Sequence, residues 1–371
     1  MKKFFAFALS LLMVISSAFA FSGCSFSNKH VKNVILIIGD GMGYEHILGG
    51  EKCKGSAFVF RSWNTVNVNT DSVTSIKNPP TPTDSAAAAT ALATGTLTYN
   101  GYVGKDDDAY DLKTIMDYAI EQGKSTGIVT TDSLLGATPS GFSAHSITRS
   151  NEGLLFDTQV VSGINLLCGA TADYCTKDES REQILTNGYA YCDDFAQIDN
   201  TLDKEKAYWQ LDMAGISATV KLPSVTTKAI DFLSRDSDGF VLMIEQAHVD
   251  KYAHSNNFNG MQLSARDLDN TVETVLSWAK NRNDTAILVT ADHETGGLLM
   301  NTGNSGSGLH VTDDNKIIRF RWSTTGHTNR DVSLFTYGFR FNPASQPYYK
   351  SRNRIKNTDI FGIMKDLVLG N

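Results

Sequence analysis

Val34-Ile35-Leu36-Ile37-Ile38-Gly39-Asp40-Gly41-Met42-Gly43 opens on five aliphatic residues and ends on a carboxylate set between glycines. An unbroken apolar run of this length reads as a strand buried on both faces, as in the middle of a parallel sheet. A dinucleotide loop would need Gly-x-Gly-x-x-Gly, which this stretch lacks, and an Asp stands where phosphate would approach. Asp40 is better read as a metal ligand at a strand end, with open backbone around it. Comparable runs recur at Thr126–Thr130, Ile164–Leu167, Phe240–Ile244, Ala286–Thr290 and Val332–Thr336. Between them, Leu112–Gln122, Leu263–Ala279 and Ile360–Leu369 carry apolar residues at helical spacing. Strands alternating with helices predict an α/β fold with a mostly parallel central sheet covered by helices on both faces. In such sheets, functional residues collect at the carboxyl ends of the strands.

Composition narrows the function. The chain has 371 residues, 41% of them hydrophobic, enough for a sizeable core, and a net charge of −7. No basic cluster follows Lys2 and Lys3, which excludes nucleic acid as a specific partner. Residues 1–23 read as an export signal: a basic start, then an apolar run too short to span a membrane. Ala18-Phe19-Ala20 suits ordinary cleavage, whereas Phe21-Ser22-Gly23-Cys24 suits a lipoprotein, with Cys24 as the lipid anchor. Either reading puts the protein in the periplasm or at the cell surface. The even set Cys53, Cys168, Cys175 and Cys192 then suggests disulfides, with Cys168–Cys175 favoured by proximity in sequence. Residues 31–371 are read as one catalytic domain. The stretch Asn151–Val225, rich in polar residues, is an elaboration of that domain.

The reactive side chains cluster where the strands end. Thr83-Asp84-Ser85 precedes an alanine run, which places Ser85 at a helix N-terminus, either as a capping residue or as a nucleophile aided by the helix dipole. Glu245 ends one strand, and Asp250 and His254 follow at i and i+4, sharing a helix face. Asp292-His293 ends another strand, and His327 precedes the last. Any one of these has an ordinary structural explanation. Together they form a nitrogen and carboxylate set without thiolate, suited to catalytic zinc. His145 and His248 are read as structural, and His30, His46 and His310 as surface or loop residues.

Gly39 to Gly43, Asp84-Ser85-Ala86-Ala87, Ala137-Thr138-Pro139, His145 through Arg149, Glu245 through His254, Thr290 through Glu294 and Gly326-His327 occur in one order. That series resembles the alkaline phosphatases, bacterial members most of all. The resemblance implies a phosphate monoesterase of broad specificity with two zinc ions and one magnesium. Asp250, His254 and His327 would hold the first zinc. Asp40, Asp292 and His293 would hold the second, with Ser85 facing the phosphate. Asp40 would also reach magnesium, together with Thr138 and Glu245. Arg149 would grip two phosphate oxygens, and Lys251 would contact phosphate. The implied reaction has two in-line displacements, through a phosphoserine at Ser85 that water then opens. Two departures stand out. Gly136 occupies a place where relatives carry Asp or His, which implies a loosely held magnesium and a Lys251 free to approach phosphate. The stretch 294–326 is short, which implies a reduced crown insertion and leaves a homodimer without its usual crown contact. The alternatives are a phosphodiesterase or sulfatase on the same fold, or a phosphate-binding surface protein with little turnover.

Overall fold

The computed structural model describes residues 30–300, 308–346, 348–349 and 353–370. The stretch 1–23, read as an export signal, and Cys24 lie outside the described residues. The strands in chain order are β1 Asn33–Gly39, β2 Asn64–Asn69, β3 Ser125–Ser133, β4 Leu166–Ala170, β5 Ala190–Cys192, β6 Ala207–Leu211, β7 Phe240–Gln246, β8 Thr285–Thr290, β9 Glu294–Thr295, β10 Leu299–Met300, β11 Gly308–Val311, β12 Ile317–Arg321, β13 His327–Thr328, β14 Val332–Tyr337 and β15 Ile355–Lys356. The helices are α1 Tyr44–Lys54, α2 Val73–Lys77, α3 Ser85–Thr94, α4 Ile115–Glu121, α5 Ala137–Ser143, α6 Glu152–Val160, α7 Asp178–Thr186, α8 Leu222–Leu233, α9 His248–His254 and α10 Phe258–Ala279, with a closing helix Asn357–Leu369.

Ten strands form one sheet in the order β15-β2-β14-β8-β1-β7-β3-β4-β6-β5. β14 runs antiparallel to both its neighbours, and the other pairings are parallel. The run Val34–Ile38 lies at its centre, between β7 and β8, with each of its five aliphatic side chains buried. Burying each contributes roughly 1.5–3 kcal/mol. Helices α3, α4, α5 and the closing helix pack together against one face, and α1, α8, α9 and α10 against the other. The predicted layered α/β architecture is what the chain adopts.

Differences from the sequence reading have local causes. The strand expected over Ile164–Leu167 begins at Leu166. Before it, the Asn165 side chain takes the Thr126 N–H (2.9 Å), and the Ile164 carbonyl accepts from Tyr189 Oη (2.8 Å). The helix expected from Leu112 starts at Ile115, capped by Thr114 and Asp117. α10 starts ahead of Leu263, capped by Asn257. The stretch Asn151–Val225 adds β4, β5 and β6 to the same sheet. β2 was unread because its sequence, NTVNVN, alternates with Asn. The stretch 294–326 carries β9, which pairs with β13, and the small sheet β10-β12-β11.

The expected disulfides do not form: Cys53, Cys168, Cys175 and Cys192 are free thiols. Cys168 is buried within β4 with its sulfur 4.0 Å from Met213 Sδ, whereas Cys175 lies beyond the strand, 3.3 Å from Tyr208 Oη. Each sulfur thus faces a different part of the core. His46 is another correction. It is fully buried in α1, with Nδ1 accepting the Gly43 N–H (3.1 Å).

Candidate active site

The ends of β1 and β8 and the start of α3 meet at one point. Asp40 follows β1, and the chain turns away through Gly41 at φ +68°, where a Cβ would lie 2.8 Å from Asp250 Cβ. Only glycine fits there. Asp292 follows β8. Its Oδ1 accepts two backbone N–H groups, from Gly41 (3.0 Å) and His293 (2.9 Å), so its Oδ2 is left for the site. Ser85 is the first residue of α3, whose N-cap is Asp84, with Oδ1 accepting the Ala87 N–H (3.0 Å). Around His293 Nε2 stand Ser85 Oγ at 3.1 Å, Asp292 Oδ2 at 3.2 Å and Asp40 Oδ1 at 3.6 Å.

A second cluster sits beside the first. His254 Nε2 lies 3.2 Å from His327 Nε2 and 3.3 Å from Asp250 Oδ2, and His327 Nε2 lies 3.6 Å from Asp250 Oδ1. Each ring is oriented from behind: His254 Nδ1 by the Thr325 carbonyl (2.5 Å) and His327 Nδ1 by the Thr83 carbonyl (2.8 Å). Both Nδ1 atoms carry the proton, and both Nε2 lone pairs turn to the cluster. Thr295 links the clusters. Its Oγ1 donates to Asp250 Oδ1 (2.5 Å) and accepts from His293 Nδ1 (3.2 Å). The His293 and His327 rings stack with centroids 3.6 Å apart.

Tetrahedral zinc with bonds of roughly 2.0–2.1 Å sets its ligand atoms about 3.3 Å apart, which the separations of 3.2–3.6 Å among Asp250, His254 and His327 match; Asp40, Asp250 and His293 also present atoms within 4.8 Å of one another. Asp40 Oδ1 and Asp292 Oδ2 are buried without a hydrogen-bond partner, so a cation is the partner their chemistry lacks. Thr138 Oγ1, at the start of α5, faces the Glu245 carboxylate. Electrostatics agree. Burial, then the charges of Asp292, Asp250 and Glu245, holds the Asp40 carboxyl well above its usual range. Burial, with Asp250 adding to it, pushes Asp292 to about 7. Burial, then the Asp132 charge, pushes Glu245 to about 8. Burial also opposes ionisation of Asp250, but its hydrogen bonds to His254 and Thr295 outweigh that and hold it low. Burial keeps His293 and His327 neutral, the form that ligates metal.

Arg149 is held at the rim by Asp84, whose Oδ2 accepts from Arg149 Nη1 (3.2 Å) and from the Gly101 N–H (3.0 Å). The guanidinium field reaches Asp40, His254 and His293. In the third corner, Glu245 Oε2 accepts from Thr130 Oγ1. Lys251 is not free, as Gly136 had implied: its Nζ donates to Asp132 Oδ1. The competing reading of Gly136, that an acidic side chain from elsewhere in the chain takes over this corner, fits the Asp132 carboxylate, which engages Lys251.

The structure brings together Asp40, Ser85, Asp292 and His293 in one cluster and Asp250, His254 and His327 in another. Arg149 stands at the rim, and Thr138, Glu245 and Lys251 stand at the third corner. His145 and His248 bond to the Leu112 carbonyl (2.9 Å) and Thr131 Oγ1 (3.2 Å) respectively, away from both clusters. Sequence reasoning missed Asp84 as the partner of Arg149, Thr295 as the link between clusters, and Asp132. Asp84 had a signal, since it adjoins Ser85. The other two had none.

With this geometry in view, comparison with known proteins is informative. The family profile "Alkaline phosphatase" matches residues 31–184 and 205–320. Alkaline phosphatase 3 of Bacillus subtilis is 32% identical over 73% of this chain, which spans 63% of that protein. The solved alkaline phosphatase of the Antarctic bacterium TAB5 superposes with a TM-score of 0.78 at 27% identity, covering 92% of this chain and 99% of that one. A His-to-Asp mutant of the TAB5 protein, described with Mg bound in its M3 site, superposes with a TM-score of 0.77 at 27% identity and the same coverage. On the strength of the profile match, this chain belongs to the alkaline phosphatase family.

Proposed function

We propose that this chain is an exported phosphate monoester hydrolase of broad specificity that works through a phosphoserine at Ser85. The observation that carries the reading is the placement of Ser85 Oγ. It stands at a helix N-terminus, 3.1 Å from His293 Nε2, beside two orphaned carboxylate oxygens and below an arginine fixed by Asp84. Asp40, Asp292 and His293 would hold one zinc with Ser85, and Asp250, His254 and His327 the other. Asp40, Thr138 and Glu245 would hold magnesium. When bound, these ions supply Lewis-acid stabilisation of charge on the phosphoryl group.

The residues of the chain do the rest. Arg149 presents a planar fork to two phosphoryl oxygens, which orients phosphorus toward Ser85 Oγ. The α3 N-terminus adds its dipole to the same negative charge. Oγ forms a bond to phosphorus as the ester P–O bond breaks, and the serine proton departs with the alcohol. Water then opens the phosphoserine, restoring the Ser85 hydroxyl and releasing inorganic phosphate. The side chains of Arg149 and His254 are 40% and 42% exposed, so the leaving group faces solvent and few contacts select it. That openness supports broad specificity toward small-molecule monoesters. The export signal in the sequence supports a place outside the cytoplasm.

Assay of the purified protein on a chromogenic monoester and the matching diester tests the proposal. Preferential release of phosphate from the monoester is expected. Equal or greater diester cleavage, or binding of phosphate without turnover, would overturn it.

A further inference from the structure

We propose that Asp132 is a positioning residue of the active site: it fixes Lys251 and completes the cation corner formed by Thr138 and Glu245. The proposal rests on the reading of that corner as a magnesium site.

The first observation is where the carboxylate stands. The pairing of β3 with β4 loses its register between Val129 and Ser133, an irregularity of the kind that re-aims side chains next to functional sites. Asp132 lies in that irregular segment. Its Oδ1 accepts the Ser133 N–H (2.8 Å) and a hydrogen bond from Lys251 Nζ, and its backbone N–H donates to Thr130 Oγ1 (2.9 Å). That same threonine hydroxyl donates to Glu245 Oε2. Asp132 is therefore tied on one side to Lys251 and on the other, through Thr130, to Glu245.

The second observation concerns Gly136. Its backbone, at φ −59° and ψ 160°, suits any residue, so conformation does not demand glycine there. Space does. A Cβ at this position would lie 2.9 Å from Asp132 Oδ2 and 2.9 Å from the Ser133 carbonyl oxygen. The Asp132 carboxylate fills the volume into which a side chain at 136 would grow. Glycine at 136 and aspartate at 132 are thus one arrangement: the acid enters the corner from the strand end, and the position before α5 gives it room.

The third observation is the need. Magnesium takes six oxygens in near-octahedral geometry and keeps several waters. Asp40, Thr138 and Glu245 offer too few oxygens alone. A partly exposed carboxylate beside them, with Oδ1 committed to Lys251, has Oδ2 left to hold such waters.

The test is calorimetric titration of magnesium into the zinc-loaded full chain, with melting temperature measured for every variant. Asp132→Asn is expected to weaken magnesium binding by about 10–100-fold while the protein still melts cooperatively. Gly136→Asp is expected to bind magnesium no better than the wild type, because two carboxylates would share one space. Magnesium affinity within twofold of wild type in Asp132→Asn overturns the assignment and leaves the proposed hydrolase intact. A wild-type protein that binds no magnesium overturns the corner itself. Should Asp132→Asn fail to fold, Asp132→Ser, which is smaller and cannot overpack, carries the same expectation and the same refutation.

Discussion

The histidine clusters and the Asp132–Thr138–Glu245–Lys251 corner sit within one active site but are built differently. In the clusters, His254 and His327 are aimed by backbone carbonyls, and Asp292 Oδ1 is held by two backbone N–H groups. Those partners are fixed by the fold and do not change with residue type. In the corner, by contrast, each position depends on another side chain: Glu245 on Thr130, Lys251 on Asp132, and Asp132 on the absence of a side chain at 136. A centre oriented by backbone can keep its ligands unchanged. A corner oriented by side chains can reach the same end with different residues.

That contrast sets the order of expected effects. Removing zinc should be the most damaging change. Stripping the protein with a strong chelator should lower monoester hydrolysis by at least about 10³-fold, since zinc held by these residues would stabilise charge on the reacting phosphoryl group. Zinc should restore it, and magnesium alone should not. Full activity in zinc-free protein would break the comparison at its root.

A smaller effect is expected at Thr295, whose hydroxyl links the two clusters. Thr295→Val keeps the shape but removes the hydroxyl shared by Asp250 and His293. Zinc affinity should fall by about 10–100-fold, measured by competition with a chromogenic chelator. Unchanged affinity would mean that backbone contacts alone orient the ligands.

The rim should respond least. Charge-assisted hydrogen bonds are worth roughly 1.5–3 kcal/mol each, so Arg149→Ala should weaken inhibition by inorganic phosphate at least about tenfold. Asp84→Asn keeps the cap on α3 while removing the charge that holds the guanidinium, and should give part of the same loss. Equal inhibition constants in wild type and Arg149→Ala would show that Arg149 does not grip phosphate.

The same contrast explains what could be read in the sequence. The central strands were legible because each is a continuous apolar run, as Val34–Ile38 and Phe240–Ile244 are, and the candidate ligands Asp40, Glu245, Asp292 and His293 were legible because they stand at the ends of such runs. β2 was not, since alternate Asn residues hide its buried Val66 and Val68. Thr295 gave no signal, because a threonine two residues after a histidine is ordinary and its contact with Asp250 comes from the fold. Gly136 did carry information, but as an absence. Only three-dimensional packing shows that the Asp132 carboxylate, four residues upstream, occupies the space beside Gly136 and engages Lys251.

The central claim is that Ser85 becomes phosphorylated at a metal-assembled site. The direct measurement is acid quench of the zinc-loaded protein during turnover of a ³²P-labelled monoester, with the labelled peptide identified by mass spectrometry. The account predicts label on Ser85 in the wild type, none in Ser85→Ala, and none in chelated wild type. Label at wild-type level in Ser85→Ala, or label that survives removal of the metals, would contradict it.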